Sequence, residues 1–244
     1  GGTCLSKCYG AISRFSEDVD LGIPYEHATE GMRKAIKRTV VDSVDALGVV
    51  ISNLSETRSR REYNRYDIAL GGVARSLILE TAVMTPASPY DIRPVQSFAG
   101  AFVEARDASL AKELGLLTFE VRANSLERTF ADKVFAICDY YMSGDIPARQ
   151  SRHIYDLHKL LGMVSLDDEM RSLMETVRAQ RAGGYGNPSA DDGVNLSVVL
   201  EEIVEKGPYK ADYERVTVPL LYEDVAYDEA LTALREIAAF LRPN

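Results

Sequence analysis

The hydrophobic period of this chain changes half way along it. Before about residue 122, runs rich in β-forming residues or alternating with period two (Glu17 to Gly22, Val49 to Leu54, Glu62 to Leu70, Ser76 to Val83, Leu116 to Val121) predict strands, and Gly71-Gly72 stands where a hairpin would turn. From Ser125 the period is helical: Leu126, Phe130, Val134, Ile137, Cys138 and Tyr141 recur every three or four residues until Gly144 stops the run. A sheet and a set of amphipathic helices must each bury an apolar face. The pattern therefore predicts an α/β (α+β) chain, with a mixed sheet in residues 1–122 and a helical lobe in 123–244. Further helices are expected at 27–47, near 98–114, at about 148–161 and at 228–241, with a short one over 3–9 capped by Gly10. Pro86, Pro89 and Pro94 are read as punctuating a loop.

With 244 residues, 46% of them hydrophobic and 27% charged, the chain can bury one large core or two modest ones, and disorder is excluded. Cys4, Cys8 and Cys138 form no C-x-x-C pair and no even set, which reads as reduced thiols in a cytoplasmic protein rather than a zinc site. No apolar run reaches the ~18 to 20 residues that span a bilayer, so no membrane partner is expected. The net charge of -9 argues weakly against nucleic acid, but the charge is polarised. Between residues 31 and 75 the cations Arg33, Lys34, Lys37, Arg38, Arg58, Arg60, Arg61, Arg65 and Arg75 outnumber the acids, whereas acids dominate from 189 to 244.

Chemistry gathers at the start. Asp18 and Asp20, two residues apart on a predicted strand, share a face, and such a face can hold a divalent cation between oxygens. The turn Gly1-Gly2-Thr3 opens a short helix and offers backbone N–H groups to a phosphate, with Thr3, Ser6 and Lys7 able to add contacts. Either element alone reads as a capped turn or a solvated acidic strand. Together, close to Ser16, they point to phosphoryl or nucleotidyl transfer. Lys133 lies inside the apolar stripe of its helix and must snorkel or meet an anion, either a nucleotide phosphate or a core carboxylate such as Glu120 or Glu80. Asp156 sits one helical turn from Arg152, at the stripe's edge, where the alternative is a surface Arg152–Asp156 pair. Glu80, a carboxylate in the apolar run Leu77 to Val83, is a candidate third metal ligand.

These residues fall in four ordered motifs, Gly1-Gly2-Thr3-Cys4-Leu5-Ser6-Lys7, Arg14-Phe15-Ser16-Glu17-Asp18-Val19-Asp20-Leu21, Arg128-Thr129-Phe130-Ala131-Asp132-Lys133 and Arg152-His153-Ile154-Tyr155-Asp156-Leu157. In order and spacing they resemble the AbiEii family of nucleotidyltransferase toxins, related to the mycobacterial MenT toxins. Asp212-Tyr213 and Leu221-Tyr222 extend the likeness over essentially the whole chain. Cys4 stands where that family more often has Ser or Ala, and Asp132 where Glu is usual. The resemblance implies a DNA-polymerase-β-like nucleotidyltransferase sheet, a helical C-terminal lobe and a cleft between them. It assigns Gly2, Thr3, Ser6, Lys7, Ser16, Lys133 and Arg152 to the nucleotide, Asp18 and Asp20 to Mg²⁺, and Asp156 to an essential acid. It also implies helices and a strand ahead of the double glycine, so a natural segment is expected to precede Gly1.

The expected reaction is attack of an acceptor hydroxyl on the α-phosphorus of an NTP, with Asp18 and Asp20 holding Mg²⁺ and Glu80 as the candidate third ligand. Asp156 acts as base or as positioning group. The expected partners are an RNA acceptor, the tRNA 3′ end first, and a cognate antitoxin or operon regulator. The basic residues of 33–65 are the candidate RNA track, or else a solvated helix face. Two other readings stay open: transfer to a small molecule or protein hydroxyl, and an NTP-binding protein without catalysis.

Overall fold

A computed structural model describes residues 1–16, 18–24, 29–59, 61–72, 76–84, 89–184 and 186–243. The chain forms two compact units: residues 1–3 with 16–88, and residues 4–15 with 89–244. The division thus differs from the expected one at 122/123. The reason is strand pairing, since residues 90–124 build a separate two-stranded ribbon instead of adding to the main sheet.

The first unit is a four-stranded sheet in the order β1-β4-β3-β2, formed by β1 (Asp18–Pro24), β2 (Val50–Ile51), β3 (Tyr63–Ala69) and β4 (Ser76–Met84), with helix α2 (Glu30–Ala46) between β1 and β2. β1 runs parallel to β4, while β3 is antiparallel to β4 and β2, so the sheet is mixed and β1 lies at its edge. Asn64, Tyr66 and Ile68 alternate inward along β3, and Tyr66 and Ile68 pack with Ile51 under Val40 and Val44 of α2. Thr29 starts α2 by accepting a hydrogen bond from the Met32 N–H. The expected strand at 49–54 shortens to β2 because residues 54–56 close a tight turn of helix. Gly72 has φ 78°, a conformation that suits the expected turn at Gly71-Gly72; residues 73–75 lie outside the described set, as do 27 and 28 of the expected helix.

In the second unit α5 (Leu126–Met142), α6 (Arg152–Leu161), α7 (Asp168–Arg181), α8 (Leu196–Lys206) and α10 (Tyr227–Leu241) share one core, with a short turn α9 (Lys210–Asp212) before the last of them. Phe130, Val134, Ile137, Leu157, Leu200 and Ile237 are fully or almost fully buried in it. Ser125 caps α5, its hydroxyl accepting from the Arg128 N–H. The helix read at 98–114 is two, α3 (Phe98–Glu104) and α4 (Ala108–Glu113), because Asp107 caps a new start by accepting from the Leu110 N–H. The segment around Pro94, expected as loop, is strand β5 (Tyr90–Val95), antiparallel to β6 (Phe119–Asn124) with Pro94 opposite Glu120. A ribbon of two strands has only edges, so a proline without an N–H costs it little. Helix α1 (Gly2–Lys7) begins the chain as expected. Among the described residues no helix is long and apolar enough to cross a membrane.

Candidate active site

In the first unit the period of two places Asp18 and Asp20 on one face of β1, the face opposite the side that α2 covers in this sheet. Asp20 is exposed and Asp18 half-buried. Glu80 lies directly across from Asp20 in register, and Arg65 across from Glu80, so all four share that face. The Tyr63 hydroxyl donates to Glu80 Oε1 at 2.6 Å, and Arg65 pairs with Asp67 at 2.8 Å. Arg65 is therefore separated from the other cations of the basic stretch, while Arg60 and Arg75 lie outside the described residues.

The glycine turn meets this strand. Thr3 Oγ1 donates to Ser16 Oγ at 3.1 Å and also to the backbone carbonyl of Asp18. A Cβ at Gly1 would fall 1.9 Å from Asp20 Oδ2, so only glycine lets the backbone approach that carboxylate with its present rotamer. Gly1, Thr3, Ser16, Asp18 and Asp20 are thus brought together, a convergence that sequence spacing suggests but cannot measure. An oxygen-only pair of carboxylates, one exposed and one half-buried on the same strand face, suits a hard cation such as Mg²⁺. Among the described residues no three His, Cys, Asp or Glu side chains gather tightly enough to enclose an ion, so the remaining ligands would be water or substrate oxygens.

The second unit holds a buried ionic centre. Asp156 is 0% exposed, and its carboxylate receives Arg14 Nε at 2.6 Å on one oxygen, and Arg14 NH2 at 2.8 Å on the other. Lys133 Nζ, on a side chain 7% exposed, approaches Oδ2 at 2.6 Å. Of the two anions expected for Lys133, a nucleotide phosphate or a core carboxylate, the structure shows a carboxylate, and it is Asp156 rather than Glu120 or Glu80; Asp156 is fully buried and so does not lie in a surface pair with Arg152. Burial alone would raise the Asp156 carboxyl, but the Lys133 and Arg14 cations override it and hold it well below the usual carboxylate range. A carboxylate with both oxygens committed and a depressed proton affinity is a poor general base and a strong anchor. The centre sums to one carboxylate and two cations.

Local structure explains the placement. Residues 13–15 run antiparallel beside 220–222, with Tyr222 N–H donating to Ser13 O at 2.8 Å and Phe15 N–H to Leu220 O at 2.9 Å. The consecutive α6 residues Tyr155 and Asp156 hold the consecutive residues Ser13 and Arg14: the Ser13 N–H donates to the Tyr155 hydroxyl at 3.0 Å, and that hydroxyl donates to Glu223. Ahead of α6, Arg149 takes φ 77° and the Asp212 carboxylate accepts from its N–H at 2.9 Å and from Ser151 Oγ at 2.6 Å. Arg152 donates from Nε to the Arg149 carbonyl at 2.9 Å. Lys7 lies 2.8 Å from the centre of the Phe98 ring, and Ser6 is half-buried on α1.

Arg14 is the functional candidate that sequence reasoning passed over. The signal was present, since Arg14 interrupts the apolar run Ala11-Ile12 to Phe15 as Lys133 interrupts its helix. His153 is a second. Its Nδ1 lies 3.4 Å from Lys133 Nζ and its Nε2 3.2 Å from Gln150 Oε1, so the neutral ring accepts from the ammonium and donates to the amide. Burial of the ring and the Lys133 cation push its pKa well below the ordinary histidine value. Below pH ~6.5 the unfolded chain takes up a proton that the folded one refuses, so His153 makes stability fall as pH drops from there toward the folded-state pKa. Urea unfolding at pH 7.5 and 5.5 should show a loss of up to about 1.4 kcal/mol per pH unit in this range, largely removed in His153→Gln. An equal loss in both proteins would contradict the assignment. Asp156 has the same sign in a lower window: its contribution is full above pH ~4 and fades only as pH falls toward its depressed value.

Both units contain the residues that the four sequence motifs carry. A family model described as nucleotidyl transferase AbiEii toxin, type IV toxin–antitoxin system, matches residues 1–234. No curated protein and no solved structure matches the chain. Its mixed sheet and helical C-terminal region are consistent with a nucleotidyltransferase fold. The chain therefore belongs to the AbiEii family, the nucleotidyltransferase toxins of type IV toxin–antitoxin systems.

Proposed function

We propose that this toxin transfers a nucleotide from an NTP to an acceptor hydroxyl, the 3′ end of tRNA being the acceptor, in a Mg²⁺-dependent reaction. The observation that carries the reading is the convergence of Gly1, Thr3 and Ser16 on the strand that presents Asp18 and Asp20. Asp18 and Asp20 would hold Mg²⁺, which when bound neutralises charge on the phosphates and orients them. The backbone of the Gly1–Gly2 turn would supply N–H donors to phosphate beside those acids, with the Thr3 hydroxyl fixing the turn against Asp18 and Ser16. Glu80, held by Tyr63, reinforces the negative field of the same face.

In the second unit the surplus positive charge of Arg14 and Lys133 over Asp156 suits a polyphosphate. Asp156 acts in this reading as a positioning residue for Lys133 and is not the base. Family membership implies a cognate antitoxin. Incubation with each NTP labelled at the α-phosphorus, total tRNA and Mg²⁺ should label tRNA, and chelation of the metal should abolish the label. Label appearing only on a protein or small-molecule hydroxyl would replace tRNA as acceptor, and label persisting with the metal chelated would remove Mg²⁺ from the account.

A further inference from the structure

Helix α2 turns Val40 and Val44 to the sheet and leaves Arg33, Lys34, Lys37 and Arg38 on its other sides, within two turns of one another. The turn that follows β2 adds Arg58 and Arg61. Surface cations commonly find carboxylates, as Arg65 does with Asp67 in this same unit. Here they do not. Lys37 Nζ donates to the Thr57 carbonyl at 3.0 Å, Arg58 NH1 to the same carbonyl at 3.0 Å and also to that of Ser55, and Arg61 NH1 to the Glu56 carbonyl at 3.3 Å. Arg38 makes no ion pair among the described residues, and Lys34 pairs with Glu30 at 2.6 Å through two well-exposed side chains, a bond worth little in water. The positive charge of Lys37, Arg58 and Arg61 is therefore held in place by neutral carbonyls, and with that of Arg38 it stays available to an external anion.

The surface has a shape that selects among anions. A shallow groove of about 340 Å³ is lined by Lys34, Lys37, Arg38, Val41, Asp42 and Ser59. A smaller recess beside it shares Lys37 and Ser59 and adds Arg33, Arg61 and Asn64. Cations spread over one open groove, on the i, i+3 and i+4 positions of a helix ~5–6 Å apart, suit a polymer with repeated charges better than a single enclosed phosphate. No aromatic side chain lines the larger groove, so it offers charge without a stacking platform for bases. We infer that this flank of α2 and the 54–61 turn bind the sugar-phosphate backbone of the RNA acceptor, without reading its sequence. The inference rests on the proposed transfer to RNA for the partner's identity, and on the charges and groove for the place.

The test is binding of labelled tRNA by anisotropy in the absence of NTP, across a salt series, for wild type, Lys34→Glu/Arg38→Glu and a control with the same change in net charge at exposed positions elsewhere, Lys112→Glu/Arg235→Glu. The groove variant should bind about tenfold or more weakly and lose roughly 1.5 from the slope of log affinity against log salt, while the control stays near wild type. Equal weakening in the control would reduce the effect to net charge and overturn the inference. So would unchanged binding in the groove variant, or a preference of wild type for phosphatidylserine vesicles over tRNA. Transfer to a trinucleotide acceptor separates the two readings. If wild type transfers nothing to any RNA while tRNA binding still depends on Lys34 and Arg38, the reaction fails and the surface stands. If transfer proceeds with an unchanged KM for tRNA in the groove variant, the reaction stands and the surface fails.

Discussion

Asp18→Ala and Asp20→Ala should each lower the rate of nucleotide transfer by about a thousandfold or more, corresponding to about 4 kcal/mol of transition-state stabilisation. The expectation follows from the kind of group removed. In the proposed reaction two carboxylates on alternate positions of an edge strand would be the oxygen donors of the glycine-turn site, and neither an alanine nor a neighbouring side chain would replace a lost ligand. Asp20 is exposed, so its substitution should change stability by no more than about 0.5 kcal/mol. Initial rates with saturating NTP, measured beside thermal unfolding, separate lost chemistry from lost folding. Activity within tenfold of wild type for Asp20→Ala would remove the strand face from the mechanism.

The ionic centre of the second unit predicts two substitutions with opposite profiles. Asp156→Ala removes the carboxylate that the buried cations Arg14 and Lys133 share, which should cost about 3–5 kcal/mol and lower Tm by roughly 10 °C. Lys133→Met leaves Asp156 held on both oxygens by Arg14, so its cost should be nearer 1–2 kcal/mol. Transfer should nevertheless fall by about a hundredfold in Lys133→Met, because the positive charge available to phosphate is gone. A pH–rate profile separates this account from base catalysis. With the Asp156 carboxyl held well below its ordinary range by Lys133 and Arg14 against the opposing effect of burial, no acidic limb between pH 5 and 8 belongs to it. A limb in that window that Asp156→Asn abolishes would make Asp156 the base after all.

Local order was readable where one element determines its own pattern. The alternation through Asp18 and Asp20 indicates a shared face, and the inward positions of β3 show that it is the face opposite α2. The Lys133 stripe shows that a buried ammonium needs an anion. Which anion was not readable, because Lys133 and Asp156 lie on different helices and no spacing along the chain encodes their packing. Arg14 escaped for the same reason: its significance appears only when Tyr155 and Asp156 grip residues 13 and 14 together. Pro94 misled in the other direction. A proline argues against a strand inside a sheet, but carries little weight in a ribbon that has two edges, and missing β5 moved the expected boundary from 88 to 122. The basic stretch was likewise only partly separable: Arg65 belongs to the carboxylate face, whereas Lys34, Lys37 and Arg38 line a groove beside α2.

The central claim is transfer of a nucleotide rather than of a phosphoryl group or a bound NTP alone, and the position of the label decides it. Purified protein, Mg²⁺ and tRNA are incubated in parallel with NTP labelled at the α- or the γ-phosphorus. The account predicts α-label joined to the tRNA 3′ end and γ-label released as pyrophosphate, with both signals lost in Asp18→Ala. Label from the γ-position on the acceptor, or NTP recovered intact beside unmodified tRNA and every other hydroxyl offered, would contradict it.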